Sequence, residues 1–115
     1  MAGRIHRVTM FKVPEPEDQK KLIEAYKTLN KSQQKNGKPY ILSLNAGIAM
    51  DDARSQGFTV VSKTDFASLD DMKYYDDKCE AHAALKAFAK GNLKIQGGPS
   101  GVLTVYFEPT ATGST

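Results

Sequence analysis

Two histidines and several tyrosines are the side chains in this sequence that could carry acid–base chemistry. His82 lies in the segment Cys79-Glu80-Ala81-His82, His6 lies near the N-terminus, and Tyr26 lies between them in the chain. Imidazole titrates near neutral pH, and a tyrosine hydroxyl can donate a proton to a developing enolate. If the fold brings His6, Tyr26 and His82 into one interior, they predict a general acid–base cluster.

A structural role for the same residues is the alternative. Tyr26 would then be ordinary helix core, His6 would lie at the edge of a sheet, and His82 would be a packed ring with one partnered nitrogen. Cys79 and His82 are three residues apart on one predicted helix, and two ligands fall short of a metal site. The sequence has no nucleophile elbow, phosphate loop or Cys-x-x-Cys motif. We therefore expect neither a metal nor a cofactor.

Composition limits the class of protein. A chain of 115 residues with 40% hydrophobic and 25% charged residues is typical of one globular domain. No apolar run approaches the roughly 18 residues that a membrane span needs. A single cysteine and an N-terminus without an apolar core predict a soluble, cytoplasmic protein. The net charge of +3 is spread along the chain, which argues against nucleic-acid binding.

Hydrophobic periodicity predicts a β-α-β-β-α-β order. The predicted strands cover residues 5–13, 40–48, 58–66 and 102–107; the helices begin at Pro16, at an N-cap on Ser68, and at Cys79. On the last helix Ala81, Ala84, Leu85 and Phe88 form an apolar stripe with His82 beside it. This order predicts an α+β, ferredoxin-like fold with a four-stranded antiparallel sheet and helices on one face. The domain should cover residues 1–109, followed by a disordered tail at 110–115.

The alternation of strand one decides which residues meet the helices. We assign the face that carries His6, Val8 and Met10 to the helices. The opposite face then carries Arg7, Thr9, Phe11 and Val13, beside Thr59, Val61, Lys63 and Asp65 of strand three. That face is partly apolar and uncovered. It predicts a homodimer that packs sheet against sheet through Phe11, Val13 and Val61, with an exposed monomer face as the alternative.

Three segments, in their order and spacing, resemble the stress-responsive A/B barrel (Dabb) domain family. The segment at residues 5–12 is similar to the family's opening strand with its histidine, and the segment at 54–59 is similar to its loop into strand three. Cys79-Glu80-Ala81-His82 occupies the place where members carry His-Pro-Ala-His. The resemblance spans residues 4–108 and implies a dimeric α+β barrel.

The resemblance also implies a site. In plant polyketide-cyclizing members, the second histidine of that motif and a tyrosine shortly before it act on the substrate, and a strand-one histidine and a helix-one tyrosine line the pocket. By this resemblance His82 is the general base and Tyr75 orients the substrate or donates a proton. The pocket between sheet and helices would be lined by His6, Val8, Met10, Tyr26, Ser62, Thr64 and Met72.

Three functions follow. The first is a homodimer that binds a small hydrophobic or phenolic molecule; the second is a cyclase or lyase that uses His82 as its base; the third is a non-catalytic structural stress protein. A cavity that His82 reaches would favour the first two functions. A close-packed interior would favour the third; its members would be Met10, Leu22, Ile23, Met72, Leu85 and Phe88.

Overall fold

The computed structural model describes residues 3–113 and has the predicted order of elements. The elements are β1 (Ile5–Phe11), α1 (Pro16–Ser32), β2 (Ile41–Ile48), β3 (Val60–Phe66), α2 (Leu69–Asp77), α3 (Glu80–Asn92) and β4 (Val102–Phe107). The four strands form one antiparallel sheet in the order β2-β3-β1-β4. The ferredoxin-like α+β prediction is confirmed. Of the predicted disordered tail, positions 114 and 115 lie outside the described residues, and 110–113 form neither helix nor strand.

Local sequence signals explain where the helices begin. α1 has a proline in its first turn together with Glu17 and Asp18, which suit the positive end of the helix. α2 begins after Ser68, whose hydroxyl oxygen accepts a hydrogen bond from the Asp71 backbone N–H at 3.1 Å. Within residues 3–113, no helix combines the length and apolar content needed to cross a bilayer.

The buried stripe of α3 includes the histidine. Its buried residues are His82, Leu85 and Ala89, at positions i, i+3 and i+7, whereas Ala84 is exposed. The predicted stripe is therefore rotated, because the imidazole itself faces the sheet. An imidazole ring can occupy such a position when one of its nitrogens finds a hydrogen-bond partner, as Nδ1 of His82 does.

The face of β1 that meets the helices is the opposite of the predicted one. Ile5, Arg7, Thr9 and Phe11 are all buried under the helices, while His6, Val8 and Met10 lie on the outer face. The prediction that His6, Val8 and Met10 line the interior is wrong, and so is the placement of Phe11 and Val13 on the outer face. Side chains of a strand alternate between the two faces of the sheet, so one wrong assignment exchanges all the residues of both faces. Arg7 and Thr9 are stable in the interior because buried polar partners satisfy them.

An apolar strip runs along the outer face of the sheet. Register pairs Val8 with Val105, and Met10 with both Val61 and Leu103. We call this surface the outer strip; its members are Val8, Met10, Val61, Leu103, Val105 and Phe107. Leu103, Val105 and Phe107 are exposed, so β4 leaves much apolar surface uncovered.

A charged cluster closes one end of the outer strip. Asp65 is buried and accepts hydrogen bonds from Lys63 at 2.7 Å and from Arg4 at 3.0 and 3.2 Å. His6 stacks on Phe107, and its Nδ1 lies 3.1 Å from Asp65 Oδ1. Burial would raise the pKa of the Asp65 carboxyl, but the Lys63 and Arg4 hydrogen bonds outweigh burial and hold this pKa below its usual value.

Candidate functional site

A cavity of about 660 Å³ lies between α3 and the β1–β4 half of the sheet. Its floor is formed by β1 and β4, one wall by α3, and one end by the loop that leads into β4. The lining residues are Arg7, Thr9, Phe11, Tyr26, His82, Leu85, Lys86, Ala89, Lys90, Leu93, Ile95, Gly98, Pro99, Val102 and Thr104. Apolar walls with a few convergent polar groups are typical of small-molecule sites.

A second depression, of about 450 Å³, lies in the groove between α1 and α3. It contains none of the predicted site residues, and its charged groups are the Glu and Lys side chains of α1. We therefore place the candidate site in the cavity over β1 and β4.

His82 is held as a neutral ring at the wall of this cavity. The residue is 4% exposed, and its Nδ1 lies 2.9 Å from the backbone carbonyl oxygen of Tyr75. A carbonyl can only accept, so Nδ1 carries the proton and donates it, and Nε2 is left as the acceptor. Burial lowers the pKa of His82 to about 4, and the charges of Arg7 and Lys86 act in the same direction. The ring is therefore unprotonated at neutral pH.

Tyr75 lies against the imidazole and does not line the cavity. Its ring is 1% exposed, and the Arg7 guanidinium carbon lies 5.1 Å from the ring centroid. Burial raises the pKa of the Tyr75 hydroxyl, which has no hydrogen-bond partner among the described residues. Tyr75 thus contacts His82 directly, while its phenol is separated from the cavity space.

Arg7 joins the helices to the floor of the cavity. Its side chain is 8% exposed; Nη2 donates to Asp76 Oδ1 at 2.8 Å and Nη1 donates to Thr9 Oγ1 at 2.8 Å. The Thr9 hydroxyl in turn lies 2.9 Å from the Thr104 hydroxyl. Asp76 also stands 4.0 Å from Nδ1 of His82. One chain of polar contacts thus runs from the end of α2 across β1 to β4.

Tyr26 reaches the cavity from α1. The Ser62 hydroxyl donates a hydrogen bond to the Tyr26 oxygen at 2.9 Å. Burial raises the pKa of Tyr26, although this hydrogen bond and the Arg7 charge oppose the effect of burial. The hydroxyl is therefore protonated at neutral pH and available as a donor.

The structure brings together only part of the predicted site. His82 and Tyr26 line the cavity, Tyr75 touches His82, and Ser62 touches Tyr26. Ser62, Thr64 and Met72 were predicted to line the pocket, but they are buried in the core and do not line the cavity. His6, Val8 and Met10 lie on the other side of the sheet, as described above. Among residues 3–113, no group of three His, Cys, Asp or Glu side chains is arranged to hold a metal ion.

Sequence reasoning missed the polar chain that runs through Arg7. The residues it overlooked are Arg7, Thr9, Asp76, Lys86 and Thr104. Arg7 and Thr9 share their strand parity with Ile5 and Phe11, two large apolar residues, and that parity was the available signal. Asp76 is 69 residues away from Arg7 in the chain, so nothing local predicts their contact.

An antiparallel four-stranded sheet covered by helices on one face, with a cavity beneath α3, defines a ferredoxin-like α+β domain. The chain belongs to the stress responsive A/B barrel domain family, whose model matches residues 5–96. A protein of Gibberella zeae called a fusaristatin A biosynthesis cluster protein is 48% identical over 113 residues; the match covers 98% of this chain and 78% of that protein.

Two solved structures share the fold. A dimeric ferredoxin-like protein of unknown function from Jannaschia sp. CCS1 has a TM-score of 0.71 at 15% identity, covering 93% of this chain and 100% of that one. Hydroxynitrile lyase from Passiflora edulis has a TM-score of 0.67 at 15% identity, covering 97% of this chain and 100% of that one. At this identity the likeness concerns the fold alone.

Proposed function

We propose that this chain forms a homodimer and that each subunit binds a small hydrophobic or phenolic molecule in the cavity under α3. The cavity carries this proposal. Its volume of about 660 Å³ lies in the usual range for ligand sites, and His82, Arg7 and Tyr26 converge on an apolar lining. The space is open to solvent on one side, so a small molecule can enter it and contact both the apolar lining and these polar groups. The name of the Gibberella zeae relative, a biosynthesis cluster protein, also favours a small-molecule role.

The outer strip supports the homodimer. It presents exposed Leu103, Val105 and Phe107 on a sheet face that none of the helices within residues 3–113 covers. The similar Jannaschia protein is described as dimeric. In the proposed interface Val61 is retained from the sequence prediction, and Val8, Met10 and the β4 residues replace Phe11 and Val13. A stable pairing should bury roughly 1,000 Å² or more in total.

Proton abstraction by His82, as in a lyase or cyclase, is the second candidate function. The tautomer favours it: the Tyr75 carbonyl fixes the proton on Nδ1, so Nε2 can accept one from a ligand. A C–H bond next to a ligand carbonyl would break, its proton would move to Nε2, and its electron pair would form an enolate. Asp76, 4.0 Å from Nδ1, would stabilise the imidazolium, and the Tyr26 hydroxyl could donate to the enolate oxygen.

NMR titration of the two histidines tests ligand binding. His82 lines the cavity, whereas His6 is on the outer face and serves as an internal control. Small phenols and aromatic ketones that enter the cavity should shift the His82 ring signals and change its titration, because they alter its solvation. They should leave the His6 signals in place. A collection of such compounds that moves neither ring, or only His6, would count against the proposed site.

A further inference from the structure

Three cations line the cavity, and within the described residues no carboxylate does. Arg7 lies on the floor, and Lys86 and Lys90 extend from α3. The carboxylate of Asp76 pairs with Arg7 but is not part of the lining. Lys86 donates to a backbone oxygen, that of Asp76, at 3.1 Å, so its charge is not neutralised by this contact. The cavity therefore holds more positive than negative charge.

Arg7 has unused hydrogen-bonding capacity. A guanidinium has five N–H donors, and Arg7 makes two hydrogen bonds, one to Thr9 and one to Asp76. Its Nε has no partner among the described residues, although the side chain is 92% buried, given its exposure of 8%. Nε itself is closed to solvent, so a ligand in the cavity would meet the remaining terminal N–H groups of Arg7, for which a carboxylate is the geometric complement.

We propose that the cavity selects ligands with an apolar body and a carboxylate group, with the carboxylate near Arg7, Lys86 and Lys90. The proposal rests on the ligand pocket proposed above and names the chemical class of its occupant. The apolar body would contact the walls formed by Phe11, Leu85, Ala89, Leu93, Ile95 and Val102. A neutral ligand of the same shape would contact the same apolar walls, but it would leave the excess positive charge of the cavity lining uncompensated.

A bound carboxylate would also act on His82. The charges of Arg7 and Lys86 help to hold the pKa of this ring low. An anion beside them cancels part of that effect, so the pKa of His82 rises toward its ordinary value and the ring becomes a stronger base. The negative charge of a bound acid would thus increase the basicity of the His82 imidazole.

A matched pair of probes tests the charge preference: 4-phenylbutanoate and 4-phenylbutanamide, which share their apolar body. Calorimetry on the full chain at low salt should show the acid binding about 10- to 100-fold tighter, the range for hydrogen bonds to charged groups. The acid, and not the amide, should raise the pKa of His82 in an NMR titration. Added salt should reduce the preference at the lysines, which are nearer to solvent.

Lysine variants locate the preference, since these side chains can be changed without opening the core. Lys86→Gln and Lys90→Gln should each lower the preference for the acid by about two- to five-fold. Lys31→Gln removes the same charge from the last turn of α1, away from the cavity, and should leave the preference unchanged. Arg7→Lys keeps the positive charge but loses the paired N–H donors of the guanidinium, which can bind both oxygens of a carboxylate. It should therefore weaken binding of the acid more than binding of the amide.

The outcomes separate the two proposals. If the amide binds at His82 and the acid binds no better, the ligand pocket stands and the carboxylate preference is wrong. If Lys31→Gln lowers the preference as much as Lys90→Gln, the effect comes from net charge and the local anion site is wrong. If neither probe disturbs His82, both the pocket and its selectivity fail.

Discussion

The imidazole of His82 and the phenol of Tyr75 lie face to face, with 3.7 Å between ring centroids and 10° between ring planes. The backbone carbonyl oxygen of the same tyrosine accepts a hydrogen bond from the Nδ1–H of His82. Tyr75 is near the end of α2 and His82 is in the first turn of α3, and only Lys78 and Cys79 separate the two helices. The short connection fixes both the plane and the tautomer of the imidazole.

Stability should depend on pH through His82. Its pKa is about 4 in the folded chain against an ordinary 6.5, so below pH 6.5 the unfolded chain binds a proton that the folded chain does not. The free energy of unfolding should therefore fall as the pH drops from 6.5 to 4, by about 3 kcal/mol from this group. Urea unfolding at fixed protein concentration measures it. His82→Gln should remove this part of the slope, and an unchanged slope would contradict the assignment.

Proton abstraction can be measured without the natural substrate. An aromatic 1,3-diketone in D₂O should exchange its activated proton faster in the presence of the protein, as followed by NMR. His82→Ala should reduce the catalysed exchange by on the order of 10²–10⁴, the contribution of a general base. Tyr26→Phe should have a smaller effect, since it removes a donor and not the base. If His82→Ala stays folded and exchanges at the wild-type rate, His82 is not the base.

Arg7 and Asp76 should be unequal partners. The Arg7 side chain is 8% exposed and that of Asp76 is 33% exposed. Asp76→Ala leaves a buried guanidinium without its counter-ion and should cost about 3 kcal/mol or more in unfolding free energy. Arg7→Met leaves a carboxylate that water can reach, and should cost roughly 1–2 kcal/mol. Urea unfolding of the two variants should rank them in this order, and the reverse order would mean that the buried cation is stable alone.

Ser62 and Tyr26 should be strongly coupled. Tyr26→Phe leaves the 2% exposed Ser62 hydroxyl without its partner, and should cost about 1–3 kcal/mol. The double variant Tyr26→Phe, Ser62→Ala should cost less than the sum of the two single variants, because no unpaired polar group remains. A double-mutant cycle by urea unfolding measures the coupling. Strict additivity would show that the 2.9 Å contact contributes nothing.

The dimer should depend on Val61. Val61→Asp places an unpaired carboxylate within the outer strip, and sedimentation velocity at micromolar concentration should then show a monomer, since burying such a charge costs several kcal/mol. Leu69→Asp is the control: it introduces the same carboxylate at an exposed leucine at the start of α2, outside the outer strip, where a negative charge is favourable. It should remain dimeric. A monomeric wild-type chain would contradict the homodimer.

The order of elements could be predicted because local periodicity determines it. Leu22, Tyr26 and Leu29 repeat at the spacing of one helix face and are buried as expected. Ser68 caps α2 as its sequence context indicates. The helix periodicity and the N-cap depend only on residues that are close together in the chain, so both can be read from the sequence.

The face of β1 could not be settled by composition alone. Both faces mix polar and apolar residues, and a buried arginine contradicts the usual distribution of charge. Arg7 is stable inside because Asp76 and Thr9 satisfy it, and the contact with Asp76 depends on how α2 packs over the sheet. The lining of the cavity depends on the same packing. Because the face of β1 was assigned one residue out of phase, the predicted lining contained Val8 and Met10 where the structure has Arg7 and Thr9.

Successive side chains of β1 point to opposite faces of the sheet. Arg7 and Thr9 face the cavity, while Val8 and Met10 face the outer strip. The backbone cannot shift on one side without moving the other, so a partner seated on the outer strip would also fix the spacing of the cavity floor. If the ligand and the partner favour the same position of β1, the two proposed equilibria, dimerisation and ligand binding, are thermodynamically linked. Such linkage is reciprocal. If the bound ligand raises the affinity between subunits by a certain factor, dimerisation raises the affinity for the ligand by the same factor.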